Sequence, residues 1–305
     1  MKDEAGNYQA CDLCGDRNAQ RVLLSARLDG PLVRCPTCLL YFVATTQHAE
    51  NGGNQSTGRP MGDAVLEMEW LAQRALELEL VDPNVEEGER PWRELAARER
   101  IEDLSRFISA GRLLELGSST GELLAVASER FETTGVEADL SSSRIARERG
   151  LHCLNGTLAD VHLNEDWFDV AVLYHTIEHL PSPQATMLEL HRVIRPGGWL
   201  VLETPNIATL WFRLFGSRWR QLIPDHRYFF TPATLGRLCY QSGFEIRELR
   251  SVGKAMSYRL FASRVSRYHR TLGRMLSKIG RSADIEDRTL RLRLGDVMRL
   301  YAVRR

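Results

Sequence analysis

The stretch from Arg112 to Gly121, RLLELGSSTG, decides the fold. It begins as a short apolar run that contains Glu115 and continues as a loop with two glycines, after which a helical pattern starts. Glycine lets the backbone approach a ligand without an intervening Cβ, and the N-terminus of the next helix offers unpaired N–H groups. The order of strand, glycine loop and helix predicts the first turn of a parallel α/β sheet, where a cofactor would bind.

Short apolar runs alternate with helical stretches from Arg112 onward. The runs interpreted as strands are RLLEL (112–116), TTGVEA (133–138), LHCLN (151–155), FDVAVLY (168–174), GWLVLET (198–204) and FEIRELRSV (244–252). Arg195-Pro196-Gly197-Gly198 predicts a sharp turn before the fifth strand, and GDVMRLYAVRR (295–305) predicts a seventh, antiparallel strand. The pattern therefore predicts an α/β fold with a seven-stranded, mostly parallel sheet and helices on both faces.

The loop 115–121 differs from the G-x-G-x-x-G pattern of dinucleotide sites. It resembles motif I of class I S-adenosylmethionine-dependent methyltransferases, [D/E]-x-G-x-G-x-G, with Ser119 in place of the middle glycine. Glu137 follows at the distance of the acid that accepts both ribose hydroxyls. The segments LYHTIEHLPSP, HRVIRPGGWLVLETPN and DHRYFFTPATLGRLCYQSGFEI extend the resemblance over about residues 110–253 plus the final strand.

This resemblance implies a Rossmann-like fold, S-adenosylmethionine as cofactor, and a set of binding residues. Those after the third strand would contact adenine, and those after the fourth strand would flank the methionine end. The implied cofactor-binding residues are Glu115, Gly117, Ser118, Ser119, Gly121, Glu137, Ala138, Thr157, Leu158, Tyr174 and His175.

Three histidines are candidates for catalysis. Methyl transfer is an in-line displacement, but an acceptor hydroxyl or carbon acid must also lose a proton, for which histidine is suited at neutral pH. The candidates are His175, His179 and His226. We prefer His179 because Glu178-His179 resembles the Glu-His step of ubiquinone-type O-methyltransferases, some of which bind a divalent ion in this region. A structural hydrogen bond is the alternative for His179 and His226, and whether Glu178 and His179 hold a metal stays open.

The segment after the fourth strand bears on the acceptor. It reads Tyr-His-Thr-Ile and lacks the Asn/Asp-Pro-Pro-aromatic motif of enzymes that methylate exocyclic amino groups of bases. Oxygen or carbon acceptors are therefore favoured over bases, and an aliphatic amine stays open; of oxygen and carbon, we prefer a hydroxyl oxygen. Forty basic and forty acidic residues balance, which also makes nucleic acid an improbable partner. Two alternatives are a zinc-ribbon RNA-binding protein that methylates RNA, and a regulator that binds S-adenosylmethionine without catalysis.

Four of the six cysteines form two close pairs near the N-terminus. Cys11-x-x-Cys14 and Cys35-x-x-Cys38 are twenty residues apart, a spacing typical of a four-cysteine structural zinc site. Such a site leaves no open coordination position, so we expect a small structural zinc ribbon ahead of the sheet. Similar ribbons precede many bacterial methyltransferases that act on sugars and polysaccharides, which implies a sugar, glycan or lipid-linked acceptor.

The predicted organisation is a zinc ribbon (1–48), a linker (49–62), lead-in helices (63–110) and a methyltransferase domain (111–305) with a basic helical insertion at about 254–285. The insertion could contact a membrane surface or simply pack on the domain. The start of the chain has no apolar leader, and no run of about 18 apolar residues occurs, so we expect a cytoplasmic protein. The acceptor and the oligomeric state stay open.

Overall fold

The computed structural model describes residues 8–44, 90–266 and 269–305. The predicted linker 49–62 and the predicted helix that starts at Asp63 lie outside these residues. The strands are β1 (Gln20–Leu23), β2 (Leu32–Arg34), β3 (Tyr41–Val43), β4 (Gly111–Leu116), β5 (Phe131–Glu137), β6 (Cys153–Asn155), β7 (Phe168–Tyr174), β8 (Ile194–Pro205), β9 (Tyr228–Phe229), β10 (Phe244–Ser251), β11 (Lys254–Ser257), β12 (Thr289–Leu292) and β13 (Val297–Arg304). The helices are α1 (Arg90–Leu104), α2 (Glu122–Ala127), α3 (Leu140–Glu148), α4 (Pro183–Val193), α5 (Leu210–Phe215), α6 (Pro232–Gln241), α7 (Tyr258–Ser266) and α8 (Arg270–Ser282).

The predicted seven-stranded sheet is confirmed, with the order β10-β13-β8-β7-β4-β5-β6. Strand β13 is antiparallel to both of its neighbours, and the other strands run parallel to one another. Because successive side chains of a strand point to opposite faces, Leu113 and Leu114 of β4 enter two different apolar cores. Helix α1 covers one face of the sheet through Ala97, Ile101 and Leu104.

The N-terminal segment packs on the other face. Strands β1, β2 and β3 form an antiparallel sheet whose fourth strand, β9, comes from the C-terminal half of the chain. Phe42 of β3 lies opposite Tyr228 of β9, and both belong to the core that Leu114 enters. The segment with the four cysteines is thus joined to the α/β domain by a shared sheet and a shared core.

Two local predictions need correction. Arg195–Gly198 is a bulge inside β8 rather than a turn before it: Ile194 pairs with Phe168 and Trp199 with Val170, so the extra residues loop out between these pairs. Gly197 has a positive φ of 73°, and a Cβ on Gly198 would lie 2.6 Å from Ile194 Cγ2, which explains the two glycines.

The insertion also differs from the prediction of one helical stretch. It begins and ends with β11 and β12, which pair with each other, and it contains the two helices α7 and α8. Four-residue strands that pair only with each other carry too little periodicity to be read from sequence. Within the described residues, no helix is long and apolar enough to cross a membrane.

Candidate functional site

The loop after β4 has the backbone geometry that its sequence predicts. Gly117 and Gly121 have φ values of 76° and 84°, and Ser119 adopts the same left-handed region at 48° although it is not glycine. A Cβ on Gly117 would lie 2.5 Å from Thr176 Oγ1, so only glycine fits there. The Ser119 amide donates a 2.8 Å hydrogen bond to Glu137 Oε2, which ties the loop to the end of β5.

A cavity of about 370 Å³ opens beside this loop. Five of the predicted residues line it: Glu115, Gly117, Ser118, Ser119 and Tyr174. The outer wall comes from α1, through residues such as Trp92 and Arg93, and from the insertion, through Met256, Leu260 and Arg264. The inner wall of the cavity is thus formed at the ends of the strands, and its outer wall by helix α1 and the insertion.

Two buried polar atoms of this wall have no hydrogen-bond partner among the described residues, namely Glu115 Oε2 and Tyr174 Oη. Burial raises the pKa of Glu115 well above its ordinary value, since Arg100 offsets only part of the cost of desolvation. A buried carboxyl group with an unused oxygen beside a glycine loop fits a cationic ligand group. The residues present therefore fit the amino acid end and sulfonium of S-adenosylmethionine.

The other implied cofactor residues surround the loop without lining the cavity. Glu137 Oε1 accepts a hydrogen bond from the Asp139 amide, Ala138 is exposed, and Gly121 precedes α2. Thr157 donates to Asp160, whereas Leu158 is buried in the core. Their contacts with a cofactor remain predictions.

An arginine network behind Tyr174 was missed in the sequence. Arg100 of α1 and Arg299 of β13 both hydrogen-bond to Glu203 at the end of β8, and both guanidinium groups lie over the Tyr174 ring, 4.3 and 5.5 Å from its centroid. Arg100, Glu203 and Arg299 also line the cavity. The sequence signal was a charged residue, Arg299, in the middle of an apolar strand, which requires a buried partner.

His175 lies between two buried carboxylates. Its Nδ1 is 3.2 Å from Glu178 Oε1 and its Nε2 is 3.3 Å from Glu203 Oε1, and its φ of 56° places it in a strained region for a residue with a Cβ. Burial alone would raise the pKa of Glu178, but the neighbouring histidines lower it to about 2. His175 therefore links the arginine network to the Glu178 segment.

His179 and His226 lie together, with ring centroids 4.7 Å apart. His179 Nδ1–H donates to the backbone carbonyl of Asp225 at 3.1 Å and also lies 3.2 Å from Asp225 Oδ2, so Nε2 is left for another partner. Burial would lower the pKa of His179, but Asp225 and Glu178 raise it to about 9. Burial and the nearby His179 lower the pKa of His226 to about 4, and its Nδ1 donates to the Gln221 carbonyl at 2.8 Å.

Among the residues that the structure describes, two groups of side chains could hold a metal ion. Glu178, His179 and His226 each offer one ligand atom, and these atoms lie within 4.8 Å of one another. The thiols of Cys11, Cys14, Cys35 and Cys38 meet the same criterion. Sγ distances of 3.4 Å (Cys11 to Cys38) and 3.5 Å (Cys14 to Cys35) suit four sulfurs around one tetrahedral ion.

The geometry of the two cysteine knuckles supports the same interpretation. The residue after each pair, Gly15 or Leu39, adopts a positive φ of 74° or 69°, and the Cys38 amide donates to Cys35 Sγ at 3.5 Å. Leu39 is an unusual residue for this conformation, which indicates that the surrounding structure imposes the turn. The residues present fit a zinc ion.

The fold and the pocket define an S-adenosylmethionine-dependent methyltransferase. The model of the family described as "Methyltransferase domain" matches residues 88–249, more than half of the 305-residue chain, and the chain belongs to this family.

The relatives agree with this assignment. The ubiquinone biosynthesis O-methyltransferase of Pseudomonas aeruginosa is 27% identical over 157 residues, which cover 47% of this chain and 68% of that protein. The enzyme of the same name from Thiobacillus denitrificans is 28% identical over 187 residues, covering 55% and 78%. A Thermotoga maritima methyltransferase structure has a TM-score of 0.51 and 19% identity over 75% of this chain and 99% of its own, which shows a shared fold.

Proposed function

We propose that the protein transfers a methyl group from S-adenosylmethionine to a hydroxyl, and less readily to a carbon, of a sugar, glycan or lipid-linked small molecule. The observation that carries this proposal is the pair formed by His179 and Asp225. A histidine oriented by a carboxylate is a proton acceptor for a hydroxyl group. The relatives named as O-methyltransferases support the same acceptor atom.

Each part of the site has a proposed role. Bound S-adenosylmethionine supplies the electrophilic methyl group. Glu137 would accept the ribose hydroxyls, and its present bond to the Ser119 amide holds the carboxylate at the loop where they would lie. Glu115 would face the positive charge of the methionine end, and Arg100 with Arg299 would hold Tyr174 in the cavity wall.

His179 would take the proton of the acceptor at Nε2, because its Nδ1 is occupied by Asp225. The raised pKa of about 9 makes this nitrogen a strong proton acceptor, and at neutral pH the base is the minor fraction of molecules in which Nε2 is unprotonated. His226 keeps a neutral ring beside it, since its pKa of about 4 is far below neutrality. The second histidine would therefore add no charge beside His179.

The four-cysteine cluster is proposed to bind one structural zinc ion. The four thiols would close its coordination sphere, so the ion stabilises the ribbon and takes no part in methyl transfer.

The test of the proposed function separates cofactor binding from catalysis. Transfer of labelled methyl groups from S-adenosylmethionine is measured against a panel of sugar, glycan, lipid-linked and amine acceptors, and cofactor affinity is measured by calorimetry. Glu137→Ala should weaken binding of S-adenosylmethionine by about tenfold or more, because a charge-assisted hydrogen bond is lost.

His179→Ala should leave that affinity nearly unchanged and lower turnover by about a hundredfold or more, the range of general-base catalysis. A loss under about threefold would contradict the role of His179. Methylation of amines in preference to hydroxyls would contradict the proposed acceptor.

A further inference from the structure

The insertion carries a local positive charge, although the net charge of the whole chain is zero. From β11 to β12, residues 254–292, it contains ten arginines and lysines and three acidic residues. The rest of the chain therefore has 30 basic and 37 acidic residues. An excess of this size concentrated in one segment indicates an anionic partner for that segment.

Helix α8 packs on α7 through two glycines. A Cβ on Gly273 would collide with Ser266, and a Cβ on Gly280 would lie 2.8 Å from Cε1 of the Tyr258 ring. Tyr258 Oη also donates to the Leu276 carbonyl at 3.2 Å. The two glycines bring the helices close together and fix which side of α8 faces outward.

The outward side of α8 carries an apolar stripe. Leu272, Met275 and Ile279 follow at spacings of three and four residues and are 41%, 51% and 45% exposed. On a helix these spacings place them on one face. Three adjacent apolar side chains exposed to water indicate a surface that another medium or partner covers.

Basic side chains occupy much of the remaining exposed surface of α8. At 100° per residue, the exposed Arg274 and Arg281 lie about 130–150° around the helix from the centre of the apolar stripe, and the exposed Lys278 flanks the stripe. A helix with an apolar face and a Lys/Arg-rich polar face lies in the plane of a lipid interface, where long basic side chains reach the headgroups. A nucleic acid would use the cations but would leave the apolar stripe in water.

We propose that α8 is a docking surface for an anionic membrane. The apolar stripe enters the boundary between headgroups and acyl chains, and the basic residues attract anionic lipid from a distance. Because only three apolar side chains enter, binding is reversible. Because the basic residues attract the anionic lipid electrostatically, binding also depends on salt.

Docking of α8 would also position the cofactor pocket. Leu260 and Arg264 of α7 line the cavity together with Met256 of β11, and α8 packs directly on α7. The wall of the pocket would therefore be held close to the lipid surface, where a lipid-linked acceptor can reach it. This consequence rests on the proposed function, whereas docking itself does not.

The experiment is sedimentation of the full chain with vesicles of phosphatidylcholine alone or mixed with phosphatidylglycerol, at low and high salt. The native protein should pellet with the anionic vesicles at low salt and lose about tenfold in affinity at high salt. The triple variant Leu272→Ser, Met275→Ser, Ile279→Ser should also lose about tenfold or more, because the apolar stripe is removed. Leu188→Ser, on α4 and 54% exposed, is the matched control and should bind as the native protein does.

Calorimetry with S-adenosylmethionine accompanies each variant, so that loss of docking is separated from loss of the fold or of the cofactor site. The triple variant should bind the cofactor as the native protein does. No pelleting of native protein at low salt overturns the proposal, as does equal pelleting of the native and triple-variant proteins. Tighter binding to single-stranded RNA than to vesicles, unaffected by the triple substitution, would overturn it in favour of a nucleic acid.

Discussion

Substitution of Glu203 by glutamine tests the buried charge network behind the cofactor pocket. Glu203 Oε1 accepts a hydrogen bond of 2.5 Å from Arg100 Nη2, and Oε2 accepts bonds of 2.8 and 2.6 Å from Nε and Nη2 of Arg299. The Glu203 side chain is 3% exposed, so these bonds are shielded from water. Glutamine keeps the shape but removes the charge and directs an NH₂ group at one of the arginines.

The expected loss of stability is about 3 kcal/mol, the lower end of the usual cost of breaking a buried ion pair, because Arg299 keeps Asp103 as a second carboxylate partner. In a chain of this size each kcal/mol lowers Tm by about 2–4 °C, so Tm should fall by roughly 6–12 °C. Burial alone would raise the pKa of Glu203, but Arg100 and Arg299 hold it well below its ordinary value. Because the pKa of Glu203 is lower in the folded state, its ionised form stabilises the fold at pH values above the unfolded-state pKa. This stabilisation is lost as the pH falls through the folded-state pKa. The native and Glu203→Gln proteins should therefore converge in strong acid.

Urea denaturation across pH measures this difference. Glu94→Gln is the control, since its ion pair with Arg98 is more than half exposed and contributes little to stability. A loss below about 1 kcal/mol for Glu203→Gln, or a loss that is the same at neutral and strongly acid pH, would refute the reasoning.

Two further predictions concern the bound groups. Burial raises the pKa of Glu115, so a bound cationic ligand should lower that pKa again and release part of a proton. Calorimetry of S-adenosylmethionine binding in buffers of different ionisation enthalpy should show this release for the native protein and none for Glu115→Gln. The affinity for S-adenosylmethionine should also rise with pH up to the pKa that Glu115 has in the free protein. Buffer-independent enthalpies for the native protein would contradict this role. Mass spectrometry under native conditions should find one zinc ion per chain in the native protein and none in Cys35→Ser. The control Cys239→Ala, at a buried site outside the ribbon, should keep its zinc ion. An equal zinc content in all three proteins would rule out the four-cysteine site.

The sequence predicts the sheet because its signals are local. Strand β7, for example, is apolar throughout except at Asp169, and the glycine loop after β4 contains Gly117 and Gly121 at positions where φ is positive. The helices of the insertion were predicted, but its two strands were missed because β11 and β12 depend on pairing over more than thirty residues of chain. Local periodicity contains no information on such pairing.

The arginine network was missed for a similar reason. Arg100 is 103 positions from Glu203, and Arg299 is 96 positions from it, so no spacing pattern connects them. The three charged side chains meet only because α1 packs on the sheet next to β8 and β13, which carry Glu203 and Arg299. The histidine cluster was partly predictable, since His179 and His226 stood out as residue types, but the Asp225 partner that determines the protonation of His179 follows from the fold.

The four-cysteine segment, the proposed zinc ribbon, is connected to the segments that carry the candidate histidines. Strand β9 begins two residues after His226 and completes the ribbon sheet through β3, and the amides of Arg227 and Tyr228 donate to the Glu178 carbonyl. Asp12, inside the first cysteine pair, accepts hydrogen bonds from Ser182 and from the Gln184 amide at the start of α4. The ribbon therefore contacts both segments that carry the candidate histidines, whereas the cofactor cavity is lined by the sheet, α1 and the insertion. Loss of zinc should consequently disturb the histidine cluster before it disturbs binding of S-adenosylmethionine.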